Sequence, residues 1–412
     1  MGKPLRVVDL TNGWAGPLGT CLLADFGAEV IKVESPSHMD WWRGAGLQGS
    51  TDGPKLYEQS PTFNTVNRNK YGIALELTHP RGRALFKELV RVSDVLVANY
   101  PLRSLRKLGI DYQALSAVNP QLVMVTLPAF GGTGPDREYV GFGCTTEAMA
   151  GITGVSGYED RQPQMLSNAI GDPGTALNNC FAVLVGLFEQ ERRGQGVSID
   201  LSHVEGLLPM NAEALLDYTI NGRVQGQRGN RHPTMAPHGC YPCAGEDEWV
   251  VISVGSDAQW ERFCRALGNP AWAREQKFAT AAGRKAEEDQ LDHRIATWTK
   301  EHDHHEVMAL LQNAGVAAGA VLSGPEILSD AHLAAREFLL AIDKAEAGMH
   351  LYPGFVPRFD PAPSAVRLPP PCFGEHNAYV FGTLLGLPAE EIEKLIKEQI
   401  ISAEPIFPTQ SH

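Results

Sequence analysis

Near the middle of the chain a carboxylate stands among small residues, in Ala169-Ile170-Gly171-Asp172-Pro173-Gly174-Thr175-Ala176. Two roles fit Asp172. Pro173 suits the first position of a helix, where a missing N–H costs nothing, and Asp172 then falls at the N-cap as an acceptor for orphan backbone N–H groups. The same place, at the positive end of a helix and flanked by glycine, also suits a nucleophilic carboxylate that a substrate reaches along the backbone. The helix dipole favours the ionised form, so Asp172 is expected to be ready for attack at neutral pH. A second chemical feature is basic. Arg103-Ser104-Leu105-Arg106-Lys107 reads as a solvated helix face or, with Arg68 and Lys70, as a clamp for phosphates.

Other patterns carry less chemistry. Cys240-Tyr241-Pro242-Cys243 has the spacing of a metal or redox pair. No second pair completes a zinc site, and the motif precedes a strand rather than opening a helix, so it reads as packing. His302-Asp303-His304-His305-Glu306 lacks the His-Glu-x-x-His pattern and reads as a solvated face, with no metal expected. Gly131-Gly132-Thr133-Gly134-Pro135 lacks the Gly-Lys-Ser/Thr ending of a P-loop.

The elements that must position these groups follow from periodicity. Beyond Asp172, Leu177, Phe181, Leu184 and Phe188 mark one face of an amphipathic helix, with Arg192 and Arg193 in its last turn and Gly194 closing it. Arg6–Leu10 reads as a strand, Gly13-Trp14-Ala15-Gly16-Pro17 as a turn, Leu18, Leu22 and Phe26 as a helix face, and Glu29–Glu34 as the next strand. That βαβ unit predicts a parallel sheet, although the turn lacks the Gly-x-Gly-x-x-Gly of a dinucleotide site. Further strands are expected over 71–77, 94–99, 121–127 and 197–201, with helices over 80–92 and 204–220. The glycine-rich stretch 40–57 carries adjacent Trp41 and Trp42, which suit a lid or the wall of an apolar pocket. After the Gly/Pro-rich linker 226–239, a strand at 249–254, helices to 315 and a strand at 316–322 form a smaller α+β domain. The expected division is 1–224, 225–330 and 331–412, an α/β protein with a Rossmann-like large domain.

Composition limits the function. The net charge of -13 argues against nucleic-acid and anionic-membrane partners but permits a local basic pocket. No apolar run is long enough to span a bilayer, and strand-like sequence from Leu5 leaves no room for a signal peptide. Seven scattered cysteines suit reduced thiols in a cytoplasm.

Several stretches, in order along nearly the whole chain, resemble the class III CoA-transferase family, which includes formyl-CoA, carnitine and bile-acid CoA transferases and α-methylacyl-CoA racemases. They are Gly16-Pro17 through Ala28–Glu34, Asn67-Arg68-Asn69-Lys70, Asn99-Tyr100 with Lys107-Leu108-Gly109, and Gly171-Asp172. Arg193-Gly194-Gln195-Gly196, Gly229-Asn230-Arg231-His232-Pro233 and Gly374-Glu375-His376 complete the set. Gly143–Gly151, with the Gly-Asn-Arg-His-Pro motif, is most similar to the benzylsuccinate-type branch. The resemblance implies an interlocked homodimer, or pairing with a homologous subunit, and a large-domain sheet built from both chain ends. It implies that Asp172 is the nucleophile and that Trp14, Ala15, Lys70, Asn99, Tyr100, Arg103, Lys107 and Phe142 contact CoA. Acyl-CoA, with succinyl-CoA as one donor, and a small carboxylic acid are the implied substrates, with no permanently bound cofactor.

The family's racemases place a histidine after glycine where this chain has Gly141-Phe142, and an aromatic residue there is similar to the transferases. Where the family has Arg-Pro-Gly, this chain has Pro101-Leu102-Arg103. The implied reaction passes CoA through an acyl-aspartyl anhydride and an aspartyl-CoA thioester on Asp172. Two other readings stay open at this point: an acyl-CoA racemase, and a non-catalytic subunit of a heteromeric transferase.

Overall fold

Short runs of Val, Ile and Leu make six strands: β1 (Arg6–Leu10), β2 (Glu29–Glu34), β3 (Lys70–Ala74), β4 (Val95–Ala98), β5 (Val123–Thr126) and β6 (Val197–Asp200). A computed structural model of the chain describes residues 4–44, 55–166, 169–360 and 366–406. In it the six strands form one parallel sheet in the order β3-β2-β1-β4-β5-β6. The order reverses direction between β1 and β4, and in open α/β sheets ligands bind in the crevice beyond the strand ends at that point.

Alternate residues of the strands feed two cores. Val8, Leu10, Ile31 and Leu96 pack with the helices α2 (Pro80–Arg91) and α3 (Leu102–Leu108), and with Val380, Phe381, Leu395 and Ile400 from the C-terminal part. On the other face Val7, Val30, Val95 and Val125 pack with Leu23 and Ala24 of α1 (Ala15–Asp25) and Val183 of a long helix, Gly171–Arg193. This corrects one expectation. Among the described residues, no strand of the six-stranded sheet comes from the C-terminal part, whose strands Leu339–Lys344 and Gly348–Pro353 pair only with each other. The returning chain contributes helical side chains to the core instead.

The helices around the strand ends are α4 (Gly143–Met149), α5 (Gly171–Arg193), α6 (His203–Leu207) and α7 (Ala212–Asn221). The expected long helix over 204–220 is broken by a 3-10 turn at Leu208–Asn211, where Pro209 interrupts the backbone pattern. The orientation of α5 is the larger surprise. Its buried residues are small or short: Gly171, Gly174, Thr175, Ala176, Asn179, Val183 and Gly186. A Cβ on Gly186 would stand 2.6 Å from Val123 Cγ1, so close packing on the sheet needs glycine there. The large apolar residues Leu177, Phe181, Leu184 and Phe188 point away from this core and are more than half exposed.

Contacts divide the chain into two units. One comprises Met1–Thr153, Met165–Arg223 and Arg336–His412; the other comprises Gly154–Gln164 and Val224–Ala335. The second unit therefore includes an excursion from the N-terminal part that the linear division 1–224, 225–330 and 331–412 does not contain. Its three strands, β7 (His238–Pro242), β8 (Trp249–Ser253) and β9 (Ala317–Ala320), form an antiparallel sheet in that order. The helices α8 (Asp257–Ala266), α9 (Glu288–Thr299) and α10 (His304–Asn313) cover it around Trp260, Phe263, Leu291 and Leu311. Cys243 is buried in this core and its thiol is pushed up to about 11, chiefly by burial. Cys240 lies on β7, and neither cysteine forms a disulfide. No helix among the described residues is long and apolar enough to cross a membrane.

Candidate active site

The C-terminal ends of β1, β4, β5 and β6 open onto a cavity of about 550 Å³. Each strand delivers its next residues to the lining: Asn12, Trp14 and Ala15 after β1, Asn99 and Tyr100 after β4, Pro128 and Ala129 after β5, and His203 after β6. Asn12 and Asn99 clasp across the switch point: Asn12 N donates to Asn99 Oδ1 at 2.9 Å, and Asn99 Nδ2 donates to the Asn12 carbonyl at 2.7 Å. Asn12 Nδ2 also donates to the Tyr100 hydroxyl at 2.8 Å. Ala15 begins α1, so the orphan N–H groups of a helix start border the cavity.

An aromatic wall stands beside these strand ends. Trp14 lies 5.4 Å from Trp42 between ring centroids, Trp42 lies 5.8 Å from Trp41, and Trp41 lies 6.0 Å from Phe142. Buried charge holds the wall in place. Asp40 caps the turn Trp41–Arg43 by accepting from Trp42 N, while its other oxygen pairs with Lys32 at 2.9 Å. Arg43 is fully buried and bonds to both Glu34 and Glu58. Of the glycine-rich stretch 40–57, residues 45–54 lie outside the described ones.

Asp172 lines the same cavity, in the first turn of α5. It is not the N-cap. The helix starts two residues earlier than the sequence suggests, with Ile170 at the cap, and the cap residue itself makes no side-chain hydrogen bond. The carboxylate instead accepts a backbone hydrogen bond from Gly143, where any Cβ would lie 2.6 Å from Asp172 Oδ2. Its electrostatics also differ from expectation. Burial, and then the negative charge of Glu147, push the Asp172 carboxyl up to about 6, against the opposing pull of the Gly143 N–H. Desolvation outweighs the helix dipole here. At pH 7 the group is still about nine-tenths ionised, and its raised basicity makes it a stronger nucleophile than an ordinary carboxylate.

Glu147 was not singled out from the sequence. It is fully buried on α4, where its Oε1 accepts from Gly171 N at 3.1 Å and its Oε2 has no partner. Its sequence signal is an acid at the apparent middle of an otherwise small and apolar helix, Gly143–Met149. His203 was also missed. Burial pulls its imidazole down to about 4, so it is neutral at pH 7 and donates to the backbone at Leu127. Arg137 is the third omission, the only lysine or arginine among the described residues lining the cavity. It bonds to the Gly134 carbonyl at 3.2 Å and keeps only a 3.9 Å contact with Glu138.

Of the residues expected around CoA, Trp14, Ala15, Asn99, Tyr100 and Phe142 line the same cavity as Asp172. Leu102, which opens α3, lines it too, whereas Arg103 and Lys107 follow on the same helix as exposed residues outside the lining. Lys70 does not join them, and its expected role as a phosphate clamp is corrected. Its ammonium is fully buried and donates to Asp9 Oδ2 at 2.9 Å, the Pro17 carbonyl at 2.8 Å and Asn67 Oδ1 at 2.8 Å. All three of its donors are used, leaving none for a phosphate. Arg68 is held likewise by Asp25, at 2.6 Å and 3.0 Å. In the histidine segment 302–306, Asp303, His305 and Glu306 are exposed as a solvated face would be, and His304 departs from it by being buried.

With this geometry in view, comparison with known proteins identifies the class. A model of CoA-transferase family III matches residues 3–377. The chain belongs to that family. It is 34% identical over 397 residues to the succinyl-CoA–D-citramalate CoA-transferase of Chloroflexus aurantiacus, covering 96% of this chain and 97% of the relative. It is 32% identical over 384 residues to the succinate–glutarate CoA-transferase of Agrobacterium fabrum, covering 92% and 94%. A solved CaiB/BaiF family protein from Brucella suis matches with a TM-score of 0.82 at 31% identity, covering 92% of this chain and 98% of that one. The protein is thus a family III CoA-transferase, an enzyme that moves CoA from an acyl-CoA to a carboxylic acid.

Proposed function

We propose that this transferase works on dicarboxylic acids, with succinyl-CoA as donor and Asp172 as the covalent carrier. The observation that carries the substrate reading is Arg137. A guanidinium without a close carboxylate partner lines the same cavity as the nucleophile. It can take the distal carboxylate of a dicarboxylate whose other end reacts, in a bidentate pair. The names of the relatives, which act with succinate, citramalate and glutarate, support the same class.

The chemistry follows from the cavity. The Asp172 carboxylate attacks the donor thioester carbonyl, and CoA thiolate leaves to give a mixed anhydride. The thiolate then attacks the Asp172 carbonyl carbon, forming an aspartyl-CoA thioester and releasing the donor acid. The acceptor carboxylate attacks that thioester, thiolate leaves again, and its return to the acceptor acyl carbon frees the new acyl-CoA and the Asp172 carboxylate. Thiolate needs no general acid to depart. The oxyanions need fixed donors, which the start of α1 and the backbone around Gly143 supply. The wall of Trp14, Trp41, Trp42 and Phe142 limits water near the anhydride. Racemisation is the weaker reading: Phe142 carries no base, and His203, with a pKa of about 4, is too weak a base for an α-proton.

The benzylsuccinate-type placement is the second reading, favoured by that aromatic wall, which suits an aryl-substituted acceptor. An exchange assay with succinyl-CoA against citramalate, glutarate, malate, benzylsuccinate and acetate decides between them. Transfer to aliphatic dicarboxylates that collapses for acetate supports the first; preference for benzylsuccinate supports the second. The uncovered stripe Leu177, Phe181, Leu184 and Phe188 supports assembly with a second copy, since monomers rarely leave so large an apolar face in water. Sedimentation at low concentration tests this, and a folded, active monomer overturns it. Activity that requires a homologous subunit would replace the homodimer with a heteromer.

A further inference from the structure

The second unit holds a cluster of metal-ligating side chains that the transferase chemistry does not use. It lies where the start of α10 meets α11 (Gly324–Ser329). His304 Nε2 and His305 Nε2 both converge on Glu326 Oε1, at 2.9 Å and 3.1 Å. The three ligand atoms lie within 4.8 Å of one another. We propose that His304 Nε2, His305 Nε2 and Glu326 Oε1 bind a divalent transition cation of the zinc type, pinning α10 to α11.

Two of the three ligands also meet a partner through their other polar atom. The second oxygen of Glu326 is occupied by Ser323, which donates from its hydroxyl at 2.6 Å and its N–H at 2.7 Å. Behind His304, Nδ1 lies 3.0 Å from Glu248 Oε2, just before β8. The contact lacks hydrogen-bond geometry, but a carboxylate on the far side of the ring is the usual companion of a metal-bound imidazole. Both Nε2 atoms lie within hydrogen-bond distance of the one Glu326 Oε1, so a single cation at that point meets three ligand atoms at once. His304 is only 2% exposed, so it cannot turn away into solvent. Asp303 caps α10, accepting from His305 N at 2.8 Å, and this fixes the backbone from which both histidines project.

The dimensions fit with little movement. Ligands about 2.0–2.1 Å from a tetrahedral zinc lie roughly 3.3 Å apart, so the two contacts on Oε1 open by a few tenths of an ångström. Two nitrogens and one carboxylate oxygen leave a fourth position for water.

The test uses the full chain, stripped with a chelator and titrated with Zn²⁺ by calorimetry, with Co²⁺ as a spectroscopic probe. One equivalent per chain is expected, with visible d–d bands from Co²⁺ and a raised melting temperature with Zn²⁺. His305→Ala, at a half-exposed position, should keep the fold by circular dichroism yet lose tenfold or more in Zn²⁺ affinity. Glu248→Gln should keep the stoichiometry and weaken affinity about tenfold. His232→Ala is the control, because His232 and His238 form another ring pair, 5.3 Å apart between centroids. The proposal is overturned if the stripped chain takes up no Zn²⁺, if uptake survives His305→Ala unchanged, or if it follows His232. Two imidazoles hydrogen-bonded to one carboxylate would be the remaining account of the cluster in each case.

Discussion

Replacing Asp172 by Asn should stabilise the protein while ending its activity. The reasoning starts from the raised pKa. In the fold the carboxyl titrates near 6, against an ordinary value of 3.8, because burial and Glu147 disfavour its charge. A raised acid pKa means the native state binds more proton than the unfolded chain between pH 4 and 6. Stability from this group is therefore present at low pH and lost as pH rises through the folded pKa. The difference of about 2 units corresponds to roughly 3 kcal/mol at full effect. Because the group opens on a cavity, solvent screening reduces this to about 1–2 kcal/mol above pH 7. Asn carries no charge and keeps an oxygen to accept from Gly143. Urea denaturation of both proteins at one protomer concentration, at pH 7.5 and near pH 4.5, measures the gain. The Asp172→Asn variant should be ahead at pH 7.5, and the gap should narrow sharply at the lower pH. A variant less stable than wild type at pH 7.5, or a gain independent of pH, would refute the electrostatic account.

Three further outcomes are expected. Glu147→Gln keeps an acceptor for Gly171 N–H but removes the like charge, so the acid limb of kcat/KM should move down from about pH 6 by ~0.5–1 unit, the smaller share of the shift. A pH–rate profile checks this, and an unmoved limb contradicts the coupling. Lys70→Met should cost about 3 kcal/mol in stability, because Asp9 loses its buried partner, while leaving the KM for acyl-CoA near wild type. Denaturant midpoints and steady-state kinetics on the same preparation separate the two effects. Removing both charges at Arg103 and Lys107 should raise the KM for acyl-CoA several-fold at low salt with kcat kept, and the effect should shrink as salt screens it.

The parallel sheet was legible because its inner strands β1, β4 and β5 are buried on both faces and are made mostly of Val, Leu and Met. The cavity was legible in part, since residues following β1 and β4 must meet at the strand ends. What misled was the assumption that an apolar stripe faces its own core. In α5 that stripe is Leu177, Phe181, Leu184 and Phe188, yet glycine and alanine face the sheet, because a closely packed helix needs small residues there. Lys70 misled for a related reason: sequence reports its charge but not that Asp9, 61 positions earlier, uses it. His203 and Arg137 carried no signal in spacing, because the fold alone brings them to the cavity of Asp172, and Glu147 offered only an acid among small residues. The Asp172 pKa reversed direction for the same cause, as burial is a property of the folded cavity.

The central claim is that Asp172 carries the acyl group and then CoA. Wild-type enzyme incubated with succinyl-CoA and quenched with hydroxylamine should yield a hydroxamate on the peptide bearing Asp172, read by mass spectrometry. Freshly prepared Asp172→Asn protein, folded by circular dichroism, should show neither the adduct nor CoA transfer. Wild-type transfer by the Asn variant, or a hydroxamate on another carboxylate, would contradict the account.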